Sequence, residues 1–348
     1  MRKLLLSAAC AAALTGCTAA SDNVTAANTV DAASVTAFTI ARVSLPGEGR
    51  GDYLTVDSEK RRLYVTHSSV VHILDLDTLR PIATVTGLKA AHGVALAAGH
   101  GFVSDGDQNG VVEFDPATGA TIKLIPTGKK PDSILYDGAS GMVWAFDGDS
   151  EEISVIDPAK GVVIKTIKLP NGPEFSQTDN KGTIWVNMEE GNDIGVIDAK
   201  AMALTGTIPL PGCDGPAPLA FDPVNRVLFS GCGNKVMTVT DADKGTVLTT
   251  VAVGGGPDGI TFDPVRKRIY VANRDGGWTI VDQRDRAHYS VNQTLKIDEY
   301  AKTATLDPKT HRVFSSTADL VWPPAVPGKK HLPNARSGSF RLMVVSEQ

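Results

Sequence analysis

The sequence predicts an all-β fold, a seven-bladed β-propeller of four-stranded antiparallel blades closed by an N-terminal strand that completes the last blade. Three observations carry this. A unit that is clearest at residues 257–276, PDGITFDPVRKRIYVANRDG, recurs with copies beginning at Gly51, Ala91, Pro131, Pro173, Pro216 and Ala301. Its spacing is about 40 to 44 residues, the range in which four short strands make one blade. Within each copy apolar and polar residues alternate between Gly, Pro and Asp turns, and no helical periodicity is seen beyond the first residues.

Inside the clearest unit, Ile260 and Phe262 share one face and Thr261 the other, before a turn at Asp263-Pro264. A second strand follows at Arg268-Ile269-Tyr270-Val271, rich in the β-branched and aromatic types that suit a pleated surface, and residues 278–282 supply a third. Outer strands are expected at 121–125, 163–167 and 247–251. Asp75, Asp115, Asp157, Asp198, Asp241 and Asp282 each close a third strand and read as turn formers, not ligands. Tyr64, Trp144, Trp185, Phe229, Tyr270 and Phe314 occupy equivalent second-strand positions and read as core between sheets.

The last copy is incomplete. After Arg312-Val313-Phe314-Ser315 comes a long Pro-rich loop, Ala318 to Gly338, which the sequence leaves open between a functional and a disordered role. The chain ends with one further strand at 340–345, so blade seven has three strands of its own. Residues 37–43 have no other home and supply the fourth, leaving no open edge between first and last blades. One toroidal domain over 36–348 is therefore expected, and 42% hydrophobic residues with Gly 34 and Pro 20 suit a buried core in a chain that turns often.

Residues 1–16, MRKLLLSAACAAALTG, combine Arg2 and Lys3 with a short apolar run and read as an export signal. Leu14-Thr15-Gly16-Cys17 looks like the lipobox of bacterial lipoproteins, which implies lipidation of Cys17, and Thr18 after it implies passage to the outer membrane. An ordinary secretory signal that happens to contain a Cys is the alternative. Residues 17–35 are small and polar and are expected to tether the lipid to a domain facing the periplasm. With Cys10 lost and Cys17 lipidated, Cys213 and Cys232 are left at strand ends that a meander brings together, either as a disulfide or as two buried thiols.

Formal net charge is −5, and losing Arg2 and Lys3 makes the mature chain more acidic, which argues against general nucleic-acid binding. Motifs of zinc proteases, serine hydrolases, phosphate-binding loops and haem attachment are absent from the sequence. A catalytic set gathered from separate blades would leave no linear signature.

Tyr64-Val65-Thr66-His67 and Tyr270-Val271-Ala272-Asn273, with the Cys213/Cys232 pair, GNK at 233–235, LDPKTHR at 306–312 and GSF at 338–340, resemble the YVTN-type propeller repeat and its YncE-like exported bacterial branch. The resemblance implies seven blades and a distant likeness to the propeller subunits of quinoprotein dehydrogenases. It implies no agreed activity.

The first strand of each blade lines the channel, so its entry residue recurs around the axis. Aligned copies place Asp52, His92, Asp132, Glu174, Ala217, Asp258 and Lys302 in that register, a mostly acidic ring. Two readings stand: turn residues capping strand entries, or a mouth that binds a ligand or a divalent metal ion, with His92, Asp132 and Glu174 as the metal set. The other histidines, His67, His72, His100, His288, His311 and His331, read as surface. The functional expectation is a monomeric, lipid-anchored envelope scaffold that binds a small molecule or a protein partner without catalysis. Its alternatives are a metal-assisted hydrolase or isomerase, with Asp132 or Glu174 as base, and an accessory subunit of a quinoprotein dehydrogenase.

Overall fold

A computed structural model describes residues 35–324 and 332–348. The expected signal, Cys17 and all of the tether but Val35 lie outside the described residues, as does His331. Seven four-stranded antiparallel sheets form the propeller. Blade one is built from Gly51–Asp57, Arg62–His67, Val70–Asp75 and Pro81–Val85, each strand beside the next, and blades two to six repeat that order.

Blade seven is spliced. From the channel outwards it runs Thr305–Leu306, Val313–Thr317, Arg341–Glu347 and Phe38–Ser44. The outermost strand pairs in unbroken register from Phe38↔Glu347 to Ser44↔Arg341, as the leftover N-terminal strand predicts. Asp298 pins the splice by accepting from Arg42 (Nη2 at 2.5 Å) and Arg341 (Nε at 2.7 Å).

The aromatic position expected as core is filled in every blade. Tyr64, Trp144, Trp185, Phe229, Tyr270 and Phe314 are buried, and Phe102 is the equivalent in blade two. Five of the six third-strand Asp residues cap their turns, as when Asp157 Oδ1 accepts from the Ala159 and Lys160 amides. Asp282 departs, taking the Arg268 guanidinium and the Asn292 amide instead.

Three other features differ from the sequence reading. The inner strand of blade seven is short, so Lys302 lies before it, outside any strand. The loop after Thr317 carries a small ladder, Leu320–Val321 against Asn334–Ala335, outside any blade. His67 and His72 are buried, not surface residues: His67 stacks on Phe340 with ring centroids 3.6 Å apart, and its Nδ1 lies 3.2 Å from His72 Nε2. Burial disfavours their charged forms and pushes His72 down to about 4.

Cys213 and Cys232 form a disulfide, with Cα atoms 5.3 Å apart, joining the entry of blade five to the end of its second strand. At the opposite face Arg61 of blade one clasps Asp307 of blade seven through both terminal nitrogens, at 2.8 and 2.7 Å.

Candidate functional site: a charged basin at the channel mouth

In blades one to six the first strand loses register with its neighbour just after its first residue: between Gly51 and Leu54, Ala91 and Val94, Pro131 and Ile134, Pro173 and Ser176, Pro216 and Leu219, and Pro257 and Gly259. Such a bulge re-aims side chains, and the unpaired residues include all of the expected ring but Lys302. Backbone groups freed by the break find side chains on neighbouring strands. Thr66 Oγ1 accepts from the Asp52 amide and donates to the Tyr53 carbonyl, Ser104 Oγ accepts from the Gly93 amide, and Asn187 donates to the Ala217 and Pro218 carbonyls. This belt of short polar side chains fixes where the ring residues point.

Five of the predicted residues meet in one ion-pair chain. Asp52 accepts from His92 Nδ1 at 2.7 Å and from Lys302 Nζ at 2.8 Å. Lys302 also reaches Asp258 at 2.5 Å, and Asp258 accepts from Arg274 Nη2 at 2.5 Å. His92 Nδ1 lies 3.4 Å from Asp132 Oδ1, a buried oxygen that accepts no hydrogen bond among the described residues. Glu174 stands apart, beside Glu189, and Ala217 adds no polar group.

Proton affinities follow from these contacts. Burial raises the Asp52 carboxyl, but Lys302 and His92 outweigh it and hold it well below the usual carboxylate range. Burial lowers His92, yet Asp132 and Asp52 prevail and bring it up to about 9. Burial likewise opposes the charge on Lys302, which Asp258 and Asp52 restore and hold above its ordinary value. Glu174 goes the other way: burial first, then Asp132 and Glu189, push it up to about 8. Near neutral pH the His92 imidazolium, the Lys302 ammonium and a neutral Glu174 coexist.

Tyr53 of blade one and Phe175 of blade four meet with ring centroids 4.9 Å apart. A cavity of about 350 Å³ is lined by Asp52, His92, Asp132 and Lys302 of the ring, and a separate cavity of about 830 Å³, along the other ends of the first strands, reaches Phe175. The Tyr53 phenol is pushed well above its ordinary value by burial and then by Asp132, Asp52, Glu174 and Asp258, so it sits within the field of the ring carboxylates.

Residues 62–306 match the family model described as a domain of unknown function (DUF5074). The chain belongs to the DUF5074 family. Among solved structures, the hydrazine synthase of Kuenenia stuttgartiensis resembles this DUF5074 protein with a TM-score of 0.67, at 14% identity over 79% of this chain and 94% of that one. Identity that low speaks for a shared fold alone. No curated protein matches the sequence.

In this DUF5074 protein Lys302, His92 and Arg274 are tied to the carboxylates of the mostly acidic ring, and Arg50, Lys89 and Lys130 add positive charge to the cavity wall. Glu174 does not join the cluster with metal-ligand spacing. That cluster is Asp52, His92 and Asp132, whose ligand atoms lie within 4.8 Å of one another.

Sequence reasoning missed Tyr53, Arg274 and Glu189. Strict alternation turns Tyr53 away from the channel once Asp52 faces it, and only the bulge brings both inward. Arg274 and Glu189 follow second strands, in turns that reach the mouth beside the first strands of blades six and four.

Proposed function

We propose that the protein is a non-catalytic binding platform of the bacterial envelope, lipid-anchored through Cys17 and using the basin at the channel mouth to hold a ligand. The observation that carries this reading is the braced basin: a cavity lined by Asp52, His92, Asp132 and Lys302, with neighbouring first-strand backbone held by Thr66, Ser104 and Asn187. Rigid concave sites of this kind fit recognition, because little is spent on ordering the protein when the ligand arrives. His92 and Lys302 are held protonated near neutral pH, so neither stands ready as a general base.

The Cys213–Cys232 disulfide supports an oxidising compartment. The YVTN-type, YncE-like assignment belongs to the same proposal and rests on the Tyr64–His67 and Tyr270–Asn273 segments.

A thermal-shift screen of small molecules and divalent ions tests the reading, run on the parent and on a variant carrying Asp132→Asn and Glu174→Gln. Shifts that the variant loses support the basin, and shifts untouched by it move the binding surface elsewhere.

A second reading is metal-assisted hydrolysis or isomerisation. It draws on the spacing of Asp52, His92 and Asp132 and on the unpartnered Asp132 oxygen. A metal would have to displace a proton from His92 and compete with Lys302 for Asp52. Elemental analysis of untagged protein before and after chelation decides it: metal-free protein of unchanged stability removes the metal reading.

A further inference from the structure

We infer that the ligand of the basin is a small organic anion carrying at least two negative charges, an inference that rests on the basin being the binding site. The cavity wall holds Arg50, Lys89, Lys130, Arg274 and Lys302 together with His92, against the carboxylates of Asp52 and Asp132. In a chain of net charge −5 this is a local reversal of sign. Concave walls of one sign concentrate the opposite ion.

The pairing pattern shows which charges are already spent. Asp52 and Asp258 are engaged by Lys302, so the place a cationic ligand would take is filled by the protein's own ammonium. Arg274 gives Nη2 to Asp258, while its Nε is buried and donates to nothing among the described residues. Among the described residues Lys130 reaches only Asp149, at 3.6 Å. Arg50 and Lys89 have no carboxylate partner among the described residues, and the Arg50 guanidinium lies 5.6 Å from the Tyr300 ring centroid. Donors outnumber acceptors at the mouth.

Both uncommitted cations stand on fixed backbone. The Lys89 and Ala90 amides donate to Asp105, at 2.8 and 2.9 Å, and the Arg50 carbonyl accepts from the Ser68 amide and hydroxyl, at 3.1 and 3.2 Å. Cationic donors of this kind suit carboxylate or phosphate oxygens, and Arg in particular presents a planar fork to them. A volume of about 350 Å³ is at the low end for ligand pockets, which selects a compact molecule over a polymer.

The test is titration calorimetry with thermal shift at constant ionic strength, using citrate, succinate, inorganic phosphate, calcium chloride and putrescine as probes on the full-length protein. The expected result is saturable binding of at least one anionic probe, weakened tenfold or more by Arg50→Gln with Lys89→Gln. Citrate and succinate against phosphate separate carboxylate from phosphate as the preferred source of charge. Because neither replaced side chain is ion-paired, the double variant should melt as the parent does. Binding of putrescine or calcium in place of the anions, sensitive to Asp132→Asn, overturns the ligand class and leaves the basin standing. If no probe of either sign binds and a broader screen is also silent, the basin reading itself fails.

Discussion

Tyr53 and Phe175, three blades apart around the ring, touch across the channel with ring centroids 4.9 Å apart. The cavity lined by Asp52, His92, Asp132 and Lys302 and the larger one that reaches Phe175 are separate.

Replacing either ring with Ala should remove this contact. Both residues are half-buried, so each substitution is expected to cost about 2 kcal/mol, below the range for fully buried aromatics. Tyr53→Phe keeps the contact and should stay within about 1 kcal/mol of the parent. Urea unfolding of the three variants checks the order, and a Tyr53→Ala protein as stable as Tyr53→Phe would show that the contact contributes little.

Arg61 and Asp307 join the first blade to the last at the face opposite the basin. Asp307 is fully buried, and Arg61→Ala leaves its carboxylate without its bidentate partner, a loss expected to cost about 3–5 kcal/mol. Combining Arg61→Ala with Asp307→Asn should recover part of that loss, because the orphaned charge is gone. Chemical denaturation of the single and double variants reads the coupling.

Stability should fall as pH rises above neutrality. His92, raised to about 9, contributes stability that is complete below its ordinary 6.5 and lost as pH passes through 9. Glu174, raised to about 8, also holds its proton more tightly when folded than when unfolded, so its contribution declines from its ordinary 4.5 up to 8. Below 6.5 His72 acts in the opposite sense, since its folded form, lowered to about 4, resists protonation. Melting temperature measured from pH 6.5 to 9 should therefore drop by several degrees, and Glu174→Gln should flatten the part of that slope below pH 8.

Cys213 and Cys232 enclose a loop with a sequence separation of 19 residues, for which chain entropy gives about 3 kcal/mol of stabilisation. Reduction, or paired Cys→Ser replacement, should lower the denaturation midpoint accordingly. An unchanged midpoint would place the bond outside the cooperative unit.

Much of the fold was legible because a repeat states itself seven times. The aromatic at each second strand, the Asp turns and the leftover N-terminal strand all follow from period-two alternation and a spacing of about forty residues. The site was legible in part for the same reason, since the repeat delivered Asp52, His92, Asp132, Asp258 and Lys302 to one register. What alternation cannot show is a bulge, and it is the bulge that turns Tyr53 into the channel. Charge balance was illegible as well: Arg274 enters the mouth from a different turn, and its pairing with Asp258 depends on geometry no spacing reveals. His67 and His72 were misread because the residue that buries them, Phe340, lies at the far end of the chain.

The most direct test of the basin is a crystal structure of the protein grown with its tightest-binding anion. Density is expected above Tyr53, within hydrogen-bonding reach of Arg274 or Lys302 and bordered by Arg50 and Lys89. A ligand found in the cavity on the other side of Phe175, or on the outer wall of a blade, would contradict the assignment.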